Sequence, residues 1–230
     1  MNKQKIFIAC DTTNPKKLNE IIKQSQNTKL KISYKIGIEF FLSPKGRHFI
    51  SKLNKKEIFL DLKLNDIPNT CAAAINSLRD IKNISYLTVH TKGGLEMLKA
   101  VKKAVKQNGK KIKILGVTVL TSFSNSSIKK IGHTKSIKEI VIKQASLAKL
   151  AKLDGIVCSG YEAKFLKKIC KNMEIITPGI RLLSDSKGDQ KRVMSPKQAF
   201  RNGATSIVMG RSITTGNIKK NIKKLIKSLN

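Results

Sequence analysis

Eight short apolar runs alternate with longer amphipathic stretches along the whole chain, and this rhythm constrains the fold more than any single motif. The runs at 5–10, 32–38, 57–62, 85–89, 112–119, 155–158, 174–177 and 206–209 read as strands. Helical patterns fill the intervals, at 15–27, 44–53, 69–80, 94–107, 137–152, 161–171, 196–202 and 216–228. In one of them Ile137, Ile140, Val141, Ala145, Ala148 and Ala151 recur close to a 3.6-residue period. Ser195 followed by Pro196 reads as an N-cap with proline at the first helical position. About eight strand–helix units in 230 residues match the size and rhythm of an α/β fold of the closed (β/α)8 TIM-barrel kind. A doubly wound open sheet is the alternative, because periodicity does not decide closure. No repeat, low-complexity segment or linker divides the sequence, so residues 1–230 are expected to form a single domain.

Polar residues interrupt these runs at a recurring place. Asp11 closes the first strand, Lys35 lies in the second, and Asp61 and Lys63 end the third. His90 ends the fourth, Thr118 and Thr121 the fifth, Ser159 the sixth, and Gly210-Arg211 the eighth. Barrel enzymes carry their chemistry at the C-terminal ends of strands, so these positions are candidates as a group. Charges inside apolar strands are costly unless paired. The alternating set Lys35, Asp61, Lys63 and Asp66 offers that pairing.

The densest stretch runs Phe59-Leu60-Asp61-Leu62-Lys63-Leu64-Asn65-Asp66-Ile67-Pro68-Asn69-Thr70. In an extended strand, positions 61 and 63 point the same way, toward the barrel mouth. Asp66 then falls in the following loop, Pro68 stops strand pairing, and Asn69 or Thr70 is available as a helix cap. A salt-bridged strand end followed by a capped helix would give the same pattern without any chemistry. Gly210-Arg211 suits a phosphate, since glycine admits a close backbone N–H and arginine adds a guanidinium. Barrels frequently hold phosphate after strands seven and eight. The polar loop 182–190, ending Lys187-Gly188-Asp189-Gln190, reads as a mobile lid. A tight turn beside a surface charge is the plain alternative.

Asp61 to Thr70 resembles the D-x-K-x-x-D-I-P-N-T signature of the orotidine 5'-phosphate decarboxylase family. Magnesium-dependent sugar-phosphate lyases and decarboxylases of the same barrel superfamily share D-x-K-x-x-D but generally continue differently. The Ile67-Pro68-Asn69-Thr70 continuation favours the orotidylate branch. Cys10-Asp11 is similar to the family's ribose-binding aspartate, and Lys35-Ile36-Gly37-Ile38-Glu39 resembles its K-x-G-x-E segment. Further along, Thr118-Val119-Leu120-Thr121-Ser122, Thr177-Pro178-Gly179-Ile180-Arg181, Gly188-Asp189-Gln190 and Gly210-Arg211-Ser212-Ile213-Thr214 match family stretches in order. Leu182 and Ser212 depart from the pattern, standing where many relatives have proline, and loosen the loops expected to hold phosphate.

The resemblance implies decarboxylation of orotidine 5'-phosphate to uridine 5'-phosphate in pyrimidine biosynthesis, with no cofactor. It implies catalytic roles for Lys63 as proton donor and for Asp61, Asp66 and Lys35 around it. Substrate contacts are implied for Asp11, Lys35, Asp61, Ile67, Thr70, Thr121, Arg181, Gln190, Gly210 and Arg211. It further implies a homodimer in which Asp66, Ile67 and Thr70 enter the neighbouring subunit's site.

Composition enters as a check on other classes. Of the 47 basic residues only Arg47, Arg79, Arg181, Arg192, Arg201 and Arg211 are arginines, and the lysines spread over every expected helix. Aromatics are 5% with no tryptophan, which leaves little to stack on bases, so the net charge of +33 reads as solvated helix faces and not as nucleic-acid binding. His48, His90 and His133 are scattered and Cys10, Cys71, Cys158 and Cys170 show no CxxC spacing, so no metal site is expected. Buried thiols of a cytoplasmic protein are the expected state of those cysteines. No run approaches the ~20 apolar residues of a membrane span, and the start of the chain lacks the pattern of a signal peptide.

Overall fold

In a computed structural model the described residues are 4–26, 28–53, 56–182 and 193–229. Eight strands form the centre: β1 (Lys5–Ala9), β2 (Lys31–Gly37), β3 (Ile58–Leu64), β4 (Ile84–His90), β5 (Lys113–Val117), β6 (Gly155–Val157), β7 (Glu174–Thr177) and β8 (Ser206–Met209). Each pairs in parallel with the next, and β8 returns to β1 with Ile6 opposite Ile207, so the sheet is a closed barrel. That last ladder decides between the closed barrel and the open sheet.

The period of two along each strand separates two cores. Outward residues such as Ile6, Ile8, Ile36, Leu60, Leu87, Ile114 and Ile207 join the large cluster shared with the helices. Inward residues Phe7, Phe59, Tyr86, Leu115, Ile176 and Val208 form a separate cluster inside the barrel. Phe7 meets Phe59 and Tyr86 edge-on, with ring centroids 5.1 Å apart in both pairs. The interior is therefore a filled core beneath the mouth and not a pore. Burial on both faces explains why the strands read as near-continuous apolar runs.

Around the barrel lie α1 (Pro15–Ser25), α2 (Ile38–Leu42), α3 (Gly46–Lys52), α4 (Pro68–Asn76), α5 (Gly94–Gln107), α6 (Asn125–Lys130), α7 (Ile137–Leu150), α8 (Gly160–Ile169), α9 (Pro196–Arg201), α10 (Arg211–Thr214) and α11 (Ile218–Leu229). Their starts follow local chemistry. Asn14 accepts from the Lys16 amide ahead of Pro15, Ser136 and Glu139 form a reciprocal capping box, and Ser195 accepts from the Gln198 amide ahead of Pro196 as expected. The apolar stripe of α7 is buried at Ile137, Ile140, Val141, Ala145 and Ala148. Among the described residues no helix is long and apolar enough to cross a membrane. All four cysteines are buried.

Several expectations need correction. The fifth strand ends at Val117, and Thr118 beyond it donates both its amide and its hydroxyl to the Val157 carbonyl. The short helices α2, α6 and α10 were not expected, each being too brief to show a helical period. Neither Asn69 nor Thr70 caps α4: the N-cap is Ile67, without a side-chain bond, and Pro68 opens the helix.

Candidate active site

Inward positions of three adjacent strands bring the site together. Running along β3 and the residue before it, Glu57, Phe59 and Asp61 face the interior in turn, so Asp61 sits one layer above the aromatic core. Lys35 comes from β2 beside it, and Asp11 from the segment after β1. The Lys35 ammonium lies 3.2 Å from Asp61 and 3.4 Å from Asp11, while the Lys63 ammonium lies 2.7 Å from the same Asp61 oxygen, Oδ2. The other Asp61 oxygen accepts from the Thr88 hydroxyl of β4 at 2.9 Å.

Asp61 and Lys63 meet, but not through the extended geometry the sequence suggested. The β3–β4 ladder shifts register between Leu60 and Leu64, and Lys63 takes φ of +50°. For a residue with a Cβ that conformation costs roughly 1–2 kcal/mol. It is held by the Lys63 amide, which donates to the Thr88 hydroxyl at 2.9 Å. Backbone strain of this kind collects at functional sites, where the surroundings over-determine it. Thr88 thus ties carboxylate and lysine together, and sequence reasoning missed it.

Charge states follow from the pairing. Burial pushes the Asp61 carboxyl up, but Lys35, Lys63 and the Thr88 hydrogen bond outweigh it and hold the group below its ordinary range. Burial pushes Lys35 down, and Asp61 with Asp11 more than reverses this, so its ammonium is stabilised. Burial, then Lys92 and Lys63, lowers His90 and keeps its imidazole neutral near pH 7.

A cavity of about 350 Å³ opens over this cluster at the C-terminal ends of the strands. That is within the range of small-ligand sites, roughly 300–1,000 Å³. Its lining carries Asp11, Lys35, Asp61 and Lys63 together with Arg181, Gly210 and Arg211. Thr121 also reaches it, and Val117, Val119 and Val157 supply an apolar wall. A Cβ at Gly210 would stand 3.5 Å from the Asp11 carboxylate and the Ala9 side chain, an ordinary van der Waals distance that puts Gly210 beside Asp11 at the mouth.

Not every expected residue gathers here. Asp66, Ile67 and Thr70 are exposed beyond the end of β3 and do not line the cavity of their own chain. Gln190 and most of the expected lid lie outside the described residues. Leu182 and Ser212 are both buried, and the Ser212 hydroxyl has no partner among the described residues. Ser159 is used structurally, its amide donating to Glu162 at the start of α8.

A closed parallel barrel with lysines and aspartates chained at its mouth and arginines lining the same cavity defines a β/α-barrel enzyme. The chain belongs to the orotidine 5'-phosphate decarboxylase / HUMPS family, whose model matches residues 4–224. An orotidine 5'-phosphate decarboxylase of Fusobacterium nucleatum is 42% identical to it over 231 residues, covering 99% of this chain and 96% of the relative. One from Wolbachia pipientis is 42% identical over 229 residues, covering 97% and 98%. The crystal structure of orotidine 5'-phosphate decarboxylase from Lactobacillus acidophilus superposes with a TM-score of 0.83 at 31% identity, covering 99% of both chains.

Proposed function

We propose that this chain is a carboxy-lyase of pyrimidine biosynthesis that converts orotidine 5'-phosphate to uridine 5'-phosphate and CO2, using neither metal nor organic cofactor. The observation that carries the proposal is the Lys35–Asp61–Lys63 chain at the floor of the cavity, with Asp61 shared between both ammonium groups. Breaking the bond between ring and carboxylate releases CO2 and leaves the electron pair on a ring carbon. The Lys63 ammonium stands beside that carbon, stabilises the developing charge and then delivers the proton that replaces the carboxylate. Solvent reprotonates Lys63. Asp61 lies against the departing carboxylate and orients Lys63, while Lys35 keeps Asp61 ionised and reaches the ribose together with Asp11.

Arg211, the Gly210 backbone, Arg181 and Gln190 take the phosphate, and Thr121 contacts the pyrimidine. Binding energy from that remote group supports chemistry at the ring. Asp66, Ile67 and Thr70 serve the site of a second copy, giving a homodimer with shared active sites. Support for this comes from Ile67, Ile38 and Leu42, which are 66%, 51% and 72% exposed on neighbouring strand–helix junctions. Buried thiols suit a cytoplasmic enzyme.

The test is loss of orotidylate absorbance when purified protein is added in excess EDTA. Turnover unaffected by EDTA is expected. Turnover of a sugar phosphate that needs added magnesium, with no orotidylate consumed, would move the chain to the other branch of its superfamily.

A further inference from the structure

At the opposite end of the barrel lies a second, larger depression of about 640 Å³, bounded by α5, the segment leading into β5, and the α7–β6 connection. Eight of its lining residues are lysines, against one carboxylate, Asp154. Four of the lysines are already committed. Lys102 pairs with Asp154 at 2.7 Å, Lys99 with Glu96 at 3.3 Å, and Lys113 with Glu174. Lys110 donates to the Leu78 and Ile81 carbonyls, both at 2.8 Å. The remaining four, Lys103, Lys106, Lys111 and Lys152, have no carboxylate within ion-pair distance among the described residues.

The floor is fixed as well as the rim. Asp154 accepts from the Ile114 amide at 2.7 Å, and its own amide donates to the Ile114 carbonyl, so β5 and the α7–β6 connection cannot drift apart. Unpaired cations around a concave, low-dielectric wall reinforce one another's field and concentrate anions there. The same charges on a convex helix are simply solvated. Lysine binds phosphate as a point charge, whereas the apolar lining here, Val105, Ile112 and Ala151, is aliphatic and offers no ring for a base to stack on.

We propose that this depression binds a condensed phosphate, two or three linked phosphoryl groups, at a site separate from the catalytic mouth. Lys113 and Val117 begin and end the same strand, so the two sites are roughly 13 Å apart along it at ~3.3 Å per residue.

Helix α11 supplies the control, because Lys219, Lys220, Lys223 and Lys224 are equally exposed but line no part of this depression. Sodium tripolyphosphate is titrated calorimetrically into the protein and into two variants of equal charge, K103Q/K106Q/K111Q/K152Q and K219Q/K220Q/K223Q/K224Q. One-to-one binding is expected, weakened about tenfold or more in the first variant and by less than about twofold in the second. A nucleoside triphosphate should bind no more tightly than tripolyphosphate. Equal weakening in both variants, no weakening in the first, or a marked gain from the base would each overturn the proposal. Should the first variant fold poorly, protection from acetylation decides instead. Tripolyphosphate must shield Lys103 and Lys111 of the unaltered protein while leaving the α11 lysines reactive, and uniform shielding defeats the site.

Discussion

The barrel carries an ion cluster at each end, built on the same strands, and only one of them opens onto a cavity with chemistry in it. At the N-terminal end Lys5 pairs with Glu57 at 2.8 Å and donates to the Tyr86 hydroxyl at 2.7 Å. Glu57 also accepts from Ser33, and Tyr86 donates to Glu174, which holds Lys113. The Lys5 ammonium sits 4.7 Å from the Tyr86 ring centre, so its charge rests on the aromatic core. At the other end Asp61 serves two lysines, and the Lys63 side chain, held in left-handed backbone, remains 40% exposed to the cavity. Charged residues inside strands therefore do not by themselves mark a site. A cation kept partly exposed by a strained backbone, beside a carboxylate it does not own alone, does.

The sharpest break of this contrast is Lys63→Ala, expected to lower kcat by several orders of magnitude, at ~1.4 kcal/mol per factor of ten, with the fold intact. A folded variant keeping about a tenth of normal turnover, a loss of only ~1.4 kcal/mol, would strip the mouth of its special status. Asp66 extends the same question to a second copy of the chain. Inactive Lys63→Ala and Asp66→Ala proteins, mixed until subunits exchange, should regain activity, because a mixed dimer has one site with both lesions and one with neither. Random exchange puts about half the dimers in mixed form, hence roughly a quarter of normal activity. Exchange verified by mass-tagged chains without recovery would return Asp66 to its own subunit.

How much of this contrast the sequence made legible differs by residue. The barrel was readable because strands buried on both faces are apolar throughout, whereas closure required the β1–β8 ladder. Asp11, Lys35, Asp61, Lys63, Thr121, Gly210 and Arg211 were singled out by type and strand-end position and Arg181 by family resemblance, and all eight line one cavity, whereas His90, Thr118 and Ser159, singled out in the same way, do not. Thr88 was invisible, since threonine is an ordinary strand former and its pairing depends on register between β3 and β4. The left-handed turn at Lys63 was equally hidden, because a non-glycine residue with positive φ leaves no local signature. The N-terminal cluster escaped notice for the opposite reason: Lys5, Glu57, Lys113 and Glu174 stand at strand starts, where solvent-facing charge is common.

A smaller effect is expected at Thr88, whose role is to position other groups. Thr88→Val keeps the shape but removes the donor to Asp61 and the acceptor for the Lys63 amide. Turnover should fall about tenfold to a hundredfold, ~1.4–2.7 kcal/mol, with KM nearly unchanged, and Thr88→Ser should restore most of it. A stability loss in Thr88→Val with kcat preserved would make the hydroxyl a packing device like those at the other end.

The smallest effect belongs to the N-terminal cluster and must appear in stability, leaving turnover alone. Burial raises the Glu57 carboxyl, but the Lys5 and Ser33 hydrogen bonds and the charges of Lys5 and Lys31 more than offset it, so its pKa in the folded protein is lowered. A carboxyl depressed on folding adds stability above its unfolded pKa, about 4.3, and that contribution is lost as pH falls through the folded value. Glu57→Gln should therefore destabilise the protein at pH 7 by about 1 kcal/mol, read from urea midpoints, while kcat stays within about twofold. As pH falls below the unfolded value and through the lowered folded one, the unaltered protein also loses its charge at Glu57, so the gap between the two unfolding curves should narrow. A gap that holds constant across this range would mean that the carboxylate's charge contributes nothing. A fall in kcat as large as that of Thr88→Val would mean that the two ends of the barrel are not independent, and the contrast drawn between them would fail.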